Sequence, residues 1–98
     1  MEELKSDIVR ELQTMARNGQ TVPQMMRAII VALAPKHPHK VALIQYLREA
    51  FCLTLQQAAP IAGWSADGTG ELQDTQLNAF LLPEIMKNRD KWDEMVRT

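Results

Sequence analysis

Apolar residues recur every three to four positions through most of the chain, with Pro, Gly and Asn dividing the pattern into helical segments. Leu4, Ile8, Leu12 and Met15 form one stripe over residues 2–18. Glu2, Glu3 and Asp7 lie in its early turns and Arg17 in its last, as the helix dipole favours. Asn18-Gly19 is a stop. Thr21 is the expected N-cap of a second helix, with Pro23 in its first turn. Val22, Met25, Met26, Ile29, Ile30 and Leu33 follow helical spacing there, and Val31 and Ala32 widen the apolar arc. That helix is expected to be central and the most buried.

Pro35 and Pro38 bracket a stiff polar connector. A third helix carries Val41, Leu43, Ile44, Leu47, Ala50 and Phe51 and ends near Cys52-Leu53. Thr54 caps a short fourth helix that stops between Pro60 and Gly63. Residues 64–71 read as an irregular loop, with Asp67-Gly68 and Thr69-Gly70 as turn signals. Asp74 is the expected cap of a fifth helix with Leu77, Phe80 and Leu81 inward. Pro83 either kinks it or opens a sixth, whose apolar positions are Ile85, Met86, Trp92, Met95 and Val96. No useful stretch alternates with period two. The pattern predicts an all-α single domain over residues 1–98, built from five to six short helices clustered around the second and third.

Ninety-eight residues support one core and no second domain. Eleven basic against twelve acidic residues argue against bulk binding to nucleic acid or an anionic membrane. The longest apolar run, Ala28 to Ala34, is far short of the ~20 residues that span a bilayer. One cysteine, Cys52, forms no internal disulfide. With no signal-like opening, these features lead to an expected cytosolic location. The charge is unevenly placed. From Arg17 to Arg48 there are five basic residues and no acid, whereas from Trp64 onward there are seven acids and four bases.

Leu47, Arg48, Glu49, Ala50, Leu53, Thr54, Ala59, Gly63 and Ser65 resemble the first part of the helix-turn-helix in phage-repressor-like DNA-binding domains. That resemblance implies a following helix in the major groove. The corresponding stretch here, Trp64 to Glu71, holds two glycines, and Asp67, Glu71 and Asp74 would meet phosphates with the wrong sign. Lys40, Val41, Ala42, Ile44, Arg48, Ala50, Leu53, Leu55 and Ala58 are also similar to a helical hairpin of the bacterial ribosomal stalk protein. Two unrelated families fit one segment, so it records a stable αα-hairpin. As a whole, the chain looks like small helical proteins of proteobacteria, among which toxin-neutralising immunity proteins are common.

Chemical signatures are sparse. His37, His39 and Cys52 are too few for a structural zinc site. A Cys52–histidine dyad is weaker than a buried structural thiol at Cys52. Neither serine, Ser6 nor Ser65, sits in a nucleophile elbow. Asp67, Thr69, Glu71 and Asp74 have the start of a calcium-loop spacing, but Leu72 occupies the glycine position and Asn78 the closing glutamate position. No nucleotide-binding glycine motif is present. Lys87, Arg89 and Lys91 interleave with Asp90, Asp93 and Glu94 as an ordinary salt-bridged surface. No enzyme activity, metal or cofactor is expected.

Recognition of a protein is the remaining reading. Trp64 and Trp92 are candidate apolar anchors, because tryptophan is enriched in interface hot spots. Asp67, Glu71 and Asp74 form a candidate acidic face for a basic partner. The expected function is a non-catalytic, immunity-type inhibitor of a bacterial toxin, with a basic toxin domain as partner. A helix-turn-helix transcriptional regulator is the alternative.

Overall fold

In a computed structural model, residues 4–93 are described. Glu2, Glu3, Glu94, Met95 and Val96, assigned above to the first and last segments, lie outside them. Six α-helices follow in order: α1 (Ser6–Arg17), α2 (Val22–Leu33), α3 (Lys40–Phe51), α4 (Leu55–Ala58), α5 (Asp74–Lys87) and α6 (Arg89–Trp92). A 3-10 turn, Ala59–Gly63, continues α4. Among the described residues the only β-type contact is an isolated parallel bridge between Trp64 and Leu72. The all-α single domain read from the periodicity is the fold observed.

The stripes that build the core keep strict helical spacing. In α2 the buried residues are Val22, Pro23, Met25, Met26 and Ile29; in α3 they are Leu43, Tyr46, Leu47, Ala50 and Phe51. A residue two places from such a stripe is rotated about 200° away from it. Val31 and Val41 stand two places from Ile29 and Leu43. They are 74% and 64% exposed, not inward as expected. Phe80, also expected inward, lies outside the Leu77, Leu81, Ile85 stripe of α5 and is exposed.

The hub is α3, not α2. It packs on α1, α4, the 3-10 turn and α6, whereas α2 packs on α1 and α5. Both threonine caps form as expected. The Thr21 hydroxyl accepts from the Gln24 N–H at 3.4 Å, and the Thr21 N–H donates to Gln24 Oε1 at 2.8 Å. Thr54 and Gln57 repeat this exchange at 3.1 and 2.8 Å.

Other helix ends are satisfied from distant elements. Asn78 on α5 accepts from the Val22 N–H at 2.9 Å. The buried Asn88 donates to the Phe51 and Cys52 carbonyls at 3.2 and 3.0 Å, closing the end of α3. Cys52 itself adopts a left-handed conformation (φ 55°, ψ 38°) that reverses the chain. The reversal leaves Cys52 exposed, which corrects its reading as a buried thiol.

Two further corrections concern α5. Its N-cap is Gln73, whose N–H donates to Gln76 Oε1 at 2.9 Å, and Asp74 is the first helical residue. Pro83 lies within α5 without ending it. Pro83 and Ala79, the residue whose carbonyl loses its partner, are both exposed, so the missing bond falls on the outer side of α5.

Candidate functional site

The loop between the 3-10 turn and α5 is braced at both ends. The Leu72 N–H donates to the Gly63 carbonyl at 2.8 Å. Gly70 crosses the chain so closely that a β-carbon there would lie 2.6 Å from the Gly63 oxygen and 2.7 Å from the Ser65 nitrogen. Only glycine permits that approach.

Trp64 and Asp74 close the other side. Trp64 Nε1 donates to Asp74 Oδ1 at 2.8 Å. Arg27, reaching over from α2, grips the same carboxylate through both terminal nitrogens, at 2.9 and 3.2 Å. Its guanidinium lies 5.3 Å from the Trp64 ring centroid and also donates to the Ala66 carbonyl at 3.2 Å. One arginine therefore joins α2, the loop and α5. The Arg27 guanidinium, and then the Trp64 N–H, hold the Asp74 carboxyl below its ordinary value.

This geometry revises the candidate acidic face. Trp64 is only 1% exposed and belongs to the core, so it offers no outward anchor. Its ring fills the space under the loop, and its one polar atom is satisfied internally. Trp92 is 3% exposed. It meets Phe51 edge-to-face at 5.0 Å and donates to the Ile85 carbonyl at 2.8 Å. Its charged sequence neighbours gave a misleading signal, because a four-residue helix turns one side inward. Asp74 is half-exposed but already neutralised by Arg27.

Asp67 and Glu71 are exposed. The Asp67 carboxylate accepts from the Thr69 hydroxyl at 2.7 Å and from the Thr69 N–H at 3.0 Å. These bonds, the hydroxyl first, hold its carboxyl below the ordinary range and keep it charged. Arg27, Ala66, Asp67, Gly68, Gln73, Asp74 and Thr75 line a shallow concavity of about 380 Å³.

Sequence reading missed a second ionic node. Asp93 is fully buried and takes Arg17 on one oxygen and Arg89 on the other, each at 2.9 Å. The Arg89–Asp93 spacing of four is legible on a helix; the Arg17 contact across 76 residues is not. Its only trace in the sequence is the regional charge imbalance. The basic stretch and the acidic stretch pair with each other at Arg17–Asp93 and Arg27–Asp74.

The remaining chemical candidates are not brought together. His37 and His39 precede the 12-residue α3 and Cys52 follows it, which separates them by about 18 Å of helix. Among the described residues, no group of three or more His, Cys, Asp or Glu converges to hold a metal. No helix among them is long and apolar enough to cross a membrane.

The Asp74 contacts set a pH dependence. A folded-state carboxyl held below its unfolded value contributes stability that is present above about pH 4 and is lost as pH falls through the folded value. Asp74→Asn should therefore be less stable than the wild type at pH 7, with the gap narrowing in acid. Urea denaturation at pH 7 and at pH 3 measures both gaps. A gap that stays constant or widens in acid would show that the Arg27–Asp74 contact contributes no net stability.

No protein-family model, curated protein or solved structure matches the chain.

Proposed function

We propose that the chain is a non-catalytic protein-binding module acting through the braced loop 64–73. The observation that carries this reading is the bracing. Gly70, Leu72, Trp64, Asp74 and Arg27 fix the loop from within, while Asp67 and Glu71 stay exposed. A preorganised loop loses little conformational freedom on binding, and exposed carboxylates raise the encounter rate with a basic partner.

The narrower form is a cytosolic inhibitor of immunity type that occludes a basic toxin domain. In that form Asp67 and Glu71 make the contact; Trp64, Trp92 and Asp74 support the scaffold. The regulator reading has less support. After Gly63 the chain runs as a loop, and the next helix begins only at Asp74. The position that would carry a recognition helix holds Asp67 and Glu71 instead.

The test is capture from native-host lysate with the tagged full chain, with and without nuclease, read by mass spectrometry. The expected result is one stoichiometric protein that survives nuclease. Asp67→Lys with Glu71→Lys should weaken that capture roughly tenfold or more while leaving the far-ultraviolet circular dichroism unchanged. Undiminished capture by the double variant would remove the loop from the interface. DNA as the retained species would favour the regulator.

A further inference from the structure

A cavity of about 690 Å³ opens between the residues leading into α1, the end of α2, the 34–39 connector and the first half of α3. Its size is that of small-molecule sites in general. Its lining is graded by burial. Leu4, Leu33, Pro38 and Ala42 form a half-buried apolar wall. Val41 is 64% exposed there, an apolar side chain that the core does not use. Lys5, Lys36, His37 and His39 line the cavity as exposed residues, and no carboxylate of the described residues does. His39 precedes α3 without capping it through its side chain.

One buried polar group is only half used. Tyr46 lines the cavity and is 3% exposed. Its hydroxyl accepts from the Lys5 N–H at 3.1 Å, which ties the start of α1 to α3. No acceptor among the described residues takes the hydroxyl's own hydrogen. A buried donor without an acceptor costs free energy, which is recovered when an acceptor arrives. The same bond brings the Lys5 backbone beside the hydroxyl. The Lys5 ammonium, on its flexible stem, is then within reach of an anion held there.

We propose that this cavity binds an apolar monocarboxylate, a small acid with a hydrocarbon tail. Its carboxylate accepts from the Tyr46 hydroxyl and pairs with Lys5, and its tail lies along Leu4, Leu33, Pro38 and Val41. A wholly polar anion leaves that wall uncovered, and a neutral hydrocarbon leaves the hydroxyl unpaired. The site is independent of the loop reading, because none of its residues belongs to residues 64–73.

The test is titration of the full chain with octanoate, followed by calorimetry and by amide NMR, with octanol and acetate as controls. Octanoate should saturate at one equivalent with a sub-millimolar Kd, and the shifted amides should centre on the residues lining the cavity. Octanol and acetate should each bind at least about tenfold more weakly, since each lacks one half of the recognition. Lys5→Gln should weaken octanoate roughly fivefold and leave octanol unchanged. Val41→Glu brings a carboxylate to the cavity at an exposed position in the first turn of α3, where an acid suits the helix dipole. It should weaken octanoate about tenfold or more with unchanged far-ultraviolet circular dichroism. Tyr46→Phe keeps the ring, removes the donor and should weaken octanoate about tenfold. If Tyr46→Phe fails to fold, the other two variants still decide the matter.

A wild type without saturable octanoate binding overturns the proposal. So does octanol binding as tightly as octanoate, a set of shifted amides centred elsewhere, or undiminished octanoate binding in any folded variant of the three.

Discussion

Trp64→Ala should lower stability by about 3–5 kcal/mol, the range for removing a buried large aromatic side chain. For a domain of this size that corresponds to a fall in Tm of roughly 15–30 °C. Three losses coincide. The ring leaves a cavity beneath the loop, the indole N–H no longer reaches Asp74, and Arg27 loses the ring face it lies over. Since a small domain has only about 5–15 kcal/mol in total, the variant sits near the threshold of folding. Trp64→Phe separates the contributions, because it keeps most of the ring volume and removes only the donor. It should lose a minor fraction of the Trp64→Ala effect. Thermal and urea denaturation of the two variants measure this. Equal losses would mean that the hydrogen bond to Asp74, and not the packing, sets the stability of the loop.

Removing both guanidiniums around Asp93 should be the second large effect. Arg17→Ala with Arg89→Ala leaves a fully buried carboxylate without either arginine. The expected cost is roughly 3 kcal/mol, the low end for a broken buried pair, because both arginines remain partly wetted. Arg89→Ala alone should cost under about 1 kcal/mol, since Arg89 is the more exposed partner and Arg17 still holds Asp93. The double loss should therefore exceed the sum of the single ones. Adding Asp93→Asn to the double variant should recover part of the loss, because a neutral amide needs no counter-charge. Denaturation midpoints of the four variants check this; strict additivity would mean that Asp93 is solvated from elsewhere.

Helix existence and type were legible because the apolar stripes have one period and the punctuation is strong. Thr21, Thr54 and Gly19 each act within three or four residues of chain, so their roles follow from local chemistry. Val31, Val41 and Phe80 show the limit of composition: an apolar side chain is inward only if it shares the phase of the stripe. Checking the offsets of Val31 and Val41 against Ile29 and Leu43 is possible from sequence and would have placed them outside, whereas Phe80, three places from Leu77, is excluded only once the stripe is known to run through Leu81 and Ile85.

The candidate site was less legible. The loop and its exposed acids follow from the turn residues, but the fate of each acid depends on what lies across from it in space. Nothing near Asp74 in sequence announces Arg27, 47 residues earlier. The imbalance between the basic and acidic stretches was visible, and it has a simpler meaning than an external partner: at two points, the chain is its own counter-ion. Burial of Trp92 was hidden for a related reason, since Arg89, Asp90 and Lys91 on this short helix are exposed while the ring faces Phe51.

The contact between Arg17 and Asp93 also bears on the order of events during synthesis. Chains emerge from the ribosome N-terminus first, and α1 and α2 are available long before α6. The carboxylate that holds the end of α1 is then still unmade. The helical hairpin formed early must wait, with its Arg17 end unlatched, until residue 93 has cleared the exit. The contact that closes the end of α1 therefore forms only after nearly the whole chain has been made.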